Sequence, residues 1–120
     1  MNHNTIEQFN LPGNFPLELF KNGISLEKCG IKELGWRFED AIKVIEFLTS
    51  DGYAILGGDI YEYNDDQINP THDSWYLNKD NLRVEEYLFA SRVKAVSYVE
   101  EYYKNHQNSN YLCVVVYKKV

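Results

Sequence analysis

Cysteine, proline and methionine are scarce in this 120-residue sequence, which has two, three and one of them. Cys29 and Cys113 are far apart and form no C-x-x-C pair, so they read as reduced, buried hydrophobes and not as a bridge or a metal site. No Pro/Gly-rich linker, repeat or low-complexity tract divides the chain, and a single domain over residues 1–120 is expected. No apolar stretch approaches the roughly 18–20 residues that span a bilayer. The segment Leu112 to Tyr117 is only strand-sized. Met1-Asn2-His3-Asn4 lacks the basic patch and apolar run of a secretory signal, so the expected compartment is the cytoplasm. Basic side chains are also short in number, twelve against eighteen acidic, for a net charge of -6. That balance repels nucleic-acid phosphates. It suits a basic protein partner, although modest acidity also serves solubility alone.

Apolar and aromatic residues are plentiful, and a chain of this length can bury about two-thirds of its unfolded surface. Pro12, Gly13 and Pro16 punctuate an N-terminal part that reads as short elements or turns. From there Phe38, Ala41, Ile42, Ile45 and Leu48 recur at helical spacing and predict a helix over 37–50. Glu39 and Asp40 in its first turn suit the helix dipole, and Gly52 stands where a left-handed cap belongs. Trp36, just ahead of it, is expected to staple the helix start to the core.

Residues 53–63 are rich in aliphatic and aromatic side chains and predict a strand. Strict alternation puts Tyr53, Ile55, Asp59, Tyr61 and Tyr63 on one face, with Ala54, Leu56 and Ile60 on the other. Gly57-Gly58 predicts a bulge or close backbone approach, which would shift the register and could turn Asp59 over. Residues 64–82 are polar and read as a long loop containing Asn69-Pro70 and Trp75-Tyr76, a length often tied to function. A second helix is predicted over 83–104, with Asp80 or Asn81 as its cap. Val84, Leu88, Ala95, Val99 and Tyr102 form its apolar face, edged by Tyr87 and Tyr98 and widened by Phe89, Val96 and Tyr103. A final strand is predicted over 111–117. The pattern is an α+β fold, a small β-sheet packed with two main helices.

Catalytic signatures are weak. Asp59, His72 and Asp73 are the most metal-like or catalytic-looking group, but they have no H-x-x-x-H, H-E-x-x-H or cysteine cluster around them. Leu56-Gly57-Gly58-Asp59 lacks the lysine and spacing of a phosphate loop. Ser50, Ser91 and Ser97 have no G-x-S-x-G context. No cofactor and no metal site is expected. Ten tyrosines are unusual in turn. Tyr53, Tyr61, Tyr63, Tyr111 and Tyr117 would share one sheet face in the simplest register. Trp75-Tyr76 either anchors the loop, the favoured reading because large aromatics are mostly buried, or forms an exposed hot spot.

The run Leu56-Gly57-Gly58-Asp59-Ile60-Tyr61, preceded by a helix and Asp51-Gly52-Tyr53 and followed by Trp75-Tyr76, resembles the immunity protein forty family of bacterial toxin systems. Ser91, the segment Tyr98 to Tyr103 and Leu112-Cys113-Val114-Val115-Val116 extend the likeness over roughly Ile24 to Tyr117. The resemblance implies a non-enzymatic cytoplasmic protein that binds and neutralises a cognate polymorphic or contact-dependent toxin. It supplies no contact residues. Surface chemistry nominates Asp59, Glu62, Asp65, Asp66 and Asp73 for charge complementarity, and Tyr61, Tyr63, Trp75 and Tyr76 for contact area. The alternatives are a small-molecule or metal-dependent enzyme using Asp59, His72 and Asp73, and a module that self-associates through an open sheet edge.

Overall fold

A computed structural model describes residues 6–78 and 81–120 of the chain. Short elements open it, as the sequence predicts: a 3-10 turn at Ile6–Phe9 and a one-turn helix α1 at Leu17–Phe20. Strands β1 (Ile24–Ser25) and β2 (Leu34–Gly35) pair antiparallel. Helix α2 (Phe38–Ser50) leads into β3 (Tyr53–Asn64), β4 (Gln67–Tyr76), helix α3 (Val84–Asn105) and β5 (Tyr111–Lys119). The last three strands form an antiparallel sheet of order β4-β3-β5. Both long helices pack on one face of it, giving the expected α+β architecture.

Helix α2 forms where the periodicity places it. Phe38, Ala41, Val44, Ile45 and Leu48 are buried, while Ile42 sits half-buried at the edge. Asp51 ends the helix and Gly52 follows with φ 87°, a left-handed conformation that favours glycine. Trp36 is 3% exposed and bridges to β5, exchanging backbone hydrogen bonds of 2.9 and 2.7 Å with Cys113. Phe15 packs against Trp36 and Phe47, so the N-terminal segment closes this end of the core.

The expected long loop over 64–82 is largely a strand. Asp65 and Asp66 both have positive φ, 52° and 65°, and close a two-residue turn between β3 and β4. That is the backbone twist of a tight hairpin, and aspartate tolerates it. The composition of β4 hides it because β4 is an edge strand with one neighbour. Pro70 has no N–H to donate, a loss tolerable at an edge. An irregularity opposite Ile60, where His72 has φ 68°, further blunts the edge against pairing with another chain.

The bulge predicted at the glycines is present, between Ile55 and Gly57 in the pairing of β3 with β5. It undoes the strict alternation. Ile55 (paired with Tyr117) and Ile60 (paired with Cys113) are both core residues, while Asp59 pairs with Val114 and points to the other side. The expected five-tyrosine face splits accordingly. Tyr53, Tyr111 and Tyr117 lie on the helix side, and Tyr61 and Tyr63 on the outer side. The bulge also takes the Ile55 N–H out of the regular ladder. The buried Ser91 hydroxyl of α3 accepts it at 3.1 Å and donates to Leu88 O at 3.0 Å. Replacing Ser91→Ala leaves that buried donor without a partner and is expected to lower stability by about 1–3 kcal/mol, read from urea unfolding midpoints.

Helix α3 buries Tyr87, Ser91, Ala95, Val99 and Tyr102 against the sheet. Two expectations for it do not hold. Its cap is not Asn81, because the Arg83 N–H bonds the Glu86 carboxylate at 3.2 Å, and Asp80 lies outside the described residues. Phe89 and Tyr103 do not widen the core stripe but are exposed, because the narrow three-stranded sheet covers only one side of the helix, and Val84 of the expected apolar face is exposed at the helix start. Cys113 is buried, and burial holds its thiol well above the usual range and protonated. Cys29 is exposed, contrary to expectation, because it closes a surface 3-10 turn at Glu27–Cys29.

Candidate protein-binding surface

The outer face of the sheet, opposite the helices, is partly roofed by the β1–β2 segment. Leu26 and Leu112 are fully buried there, and a Cβ on Gly35 would stand 3.0 Å from the Leu112 Cβ. Leu112 pairs with Tyr61, so the roof ends beside Tyr61 and Asp59. Glu33 enters at that point. Its carboxyl is held above the ordinary carboxylate range, first by partial burial and then by the charge of Asp59. The Tyr61 phenol is pushed up by burial and then by Asp59 and Glu33. Two acids and a tyrosine thus meet at one patch, with Asp59 itself exposed. Sequence reasoning missed Glu33, for no local pattern ties it to Asp59, 26 positions further along the chain.

Tyr63 continues the patch toward the hairpin tip, where its hydroxyl donates to Asp66 at 3.3 Å and Arg37 lies over its ring at 5.9 Å. Asp65 and Asp66 are exposed in the turn. The remaining nominated residues lie elsewhere. Glu62 pairs with Tyr111 and so faces the helix side. Asp73 accepts the Tyr102 hydroxyl at 2.8 Å; burial and that hydrogen bond push the Tyr102 phenol up to about 12. Asp73 therefore ties the edge strand to α3 while remaining exposed. Tyr76 is 70% exposed at the end of β4, with Lys94 Nζ 6.0 Å from its ring centre.

Trp75 offers a partner no contact area. It is 6% exposed, stacks on Tyr98 at 4.7 Å between ring centres, and lies over Gly58. A Cβ at Gly58 would collide with the indole, so glycine is required there by the close approach. Glycine and tryptophan, 17 positions apart in sequence, form one cross-strand pair.

That geometry joins the parts of the sequence that carried the family likeness. The family model of Immunity protein 40 matches residues 25–117, more than three-quarters of the chain. The chain belongs to this family. No curated protein matches it at a significant level. The Immunity protein 40 match begins at β1 and ends in β5, so it takes in both long helices and all of the sheet but the last two residues of β5, while α1 and the buried Phe9, Phe15 and Leu19 lie outside it. Asp59 faces outward while Asp73 is bonded to Tyr102 of α3, and among the described residues no three His, Cys, Asp or Glu side chains could hold a metal ion. The cavity of about 140 Å³ between Leu11, Glu33, Trp36 and Tyr117 takes in neither Asp59, His72 nor Asp73. Among the described residues no helix is long and apolar enough to cross a membrane.

Proposed function

We propose that this Immunity protein 40 member binds a cognate toxin domain in the cytoplasm and neutralises it by one-to-one occlusion, without catalysis. Family membership supports a toxin partner. The charge of the β3–β4 hairpin carries the choice of surface. Residues 53–76 hold five carboxylates, Asp59, Glu62, Asp65, Asp66 and Asp73, and neither lysine nor arginine. Taking those five from the eighteen acidic side chains leaves thirteen against twelve basic, so the hairpin holds nearly all of the net charge of -6. Among the described residues the ion pairs are Lys21–Glu18 and Arg83–Glu86, and neither involves a carboxylate of the hairpin. A basic partner surface is the complement. Asp59, Tyr61, Tyr63 and the Asp65-Asp66 tip would face it, with Glu62, Asp73 and Tyr76 at the rim.

The test mixes the purified chain with the toxin domain encoded beside it. A one-to-one complex by light scattering is expected, with toxic activity abolished at one equivalent of added chain. Loss of toxic activity at a small fraction of an equivalent would point to catalysis, and absence of any complex would overturn the reading.

A further inference from the structure

Helix α3 carries large apolar side chains beyond the side that faces the sheet. The sheet side is accounted for by Tyr87, Ala95, Val99 and Tyr102. On the flank beside α2, Phe89, Val93 and Tyr103 are 63%, 44% and 54% exposed, with Val96 half-buried against the core between them and the Tyr103 ring edge-on to Phe38 of α2. Together with Glu100, positions 89, 93, 96, 100 and 103 advance in alternating steps of four and three. That is the spacing of a helix–helix seam, and here it runs for about 21 Å at 1.5 Å per residue. Singly exposed apolar residues need no explanation, but a line of them in seam register does.

We infer that this seam is the interface of a homodimer, in which α3 packs antiparallel on α3 of a second copy about a two-fold axis near Val96. Charge selects both the occupant and the direction. Helix α3 has four acidic and three basic residues, Glu85, Glu86, Glu100 and Glu101 against Arg92, Lys94 and Lys104. It is thus close to neutral, unlike the hairpin, and better suited to its own copy than to a strongly basic partner. Glu100 is the one charged residue within the seam. A parallel pairing would set it against its own copy, with repulsion at the core of the contact. The antiparallel pairing sets Glu100 beside Arg92 of the second copy, twice by symmetry, and Phe89 against Tyr103. Among the described residues Arg92 lies over the Phe89 ring at 5.9 Å and makes no ion pair. The seam lies on the helix layer, so the dimer leaves the outer sheet face free and is independent of the proposed toxin contact.

One helix pair buries less than the ~1,200 Å² of a standard interface, so dissociation in the micromolar range or weaker is expected. Sedimentation equilibrium from about 1 μM to about 1 mM covers that range. The mass should rise from 14.1 kDa toward twice that value. Phe89→Glu should hold it at the monomer value throughout, with an unchanged thermal melt because the side chain is exposed. Arg92→Glu should weaken dimerisation about tenfold, and adding Glu100→Arg should restore it. A mass of 14.1 kDa at the highest concentration overturns the inference. So does failure of the charge swap to restore the dimer, which would refute the antiparallel register. So does a monomeric wild type whose toxin binding is lost in Phe89→Glu, which would give the seam to the toxin instead.

Discussion

Trp75→Ala is expected to destabilise the protein by about 3–5 kcal/mol, a large share of the stability of a domain this size. The indole is buried, stacked on Tyr98 of α3 and seated on Gly58 of β3, so its removal opens a cavity where edge strand, central strand and helix meet. The hairpin turn and the Asp73–Tyr102 hydrogen bond would still hold β4, at its two sides. A double-mutant cycle separates packing from backbone effects. Gly58→Ala in the wild-type background drives a methyl into the indole and is expected to cost about 1–3 kcal/mol or more. In the Trp75→Ala background the same methyl enters the cavity, so its cost should fall, though not to zero, because Val114 O also crowds that position. Urea unfolding of the four proteins measures the coupling. A Trp75→Ala loss below about 1 kcal/mol would show that the indole does not join the layers.

Removing charge at the hairpin tip is expected to slow toxin association about tenfold at low ionic strength and to flatten its salt dependence. Asparagine is the right replacement at Asp65 and Asp66, because both positions have positive φ and asparagine tolerates that conformation where lysine would add strain. Asp59→Lys, at an exposed position of β3 without positive φ, should add to the effect by reversing the charge beside Glu33. Dissociation should change little in these variants. Tyr61→Ala is expected to act in the opposite way, raising the dissociation rate with a loss of at least about 2 kcal/mol, roughly thirtyfold in Kd. Tyr61 and Asp59 meet at one patch, so the two effects should couple in a combined variant. Stopped-flow association at several salt concentrations, with a thermal melt of each variant, tests this. If folded tip and Tyr61 variants bind as wild type does, the toxin docks on another face.

Helix α2, helix α3 and the strands at 53–63 and 111–117 were legible because their signals are local. A 3.6-residue apolar period, a glycine cap and a β-branched run depend on neighbours within a few positions. The family likeness was legible for the same reason, as a run of adjacent residues. Strand β4 was not legible. Its polar composition reflects an edge with half its surface in water, and only pairing with β3 makes Gln67–Tyr76 a strand. The face of each tyrosine likewise depended on where the bulge fell. Leu56 is the one extra residue opposite β5, and it moves Tyr53 and Ile55 to the side opposite Asp59, Tyr61 and Tyr63. Long-range contacts alone paired Gly58 with Trp75, brought Glu33 to Asp59 and left Phe89 and Tyr103 largely exposed. Local propensity therefore determined which segments are helix and which of the obvious runs are strand. Tertiary pairing decided the faces, because a period of two turns a one-residue shift into a change of side.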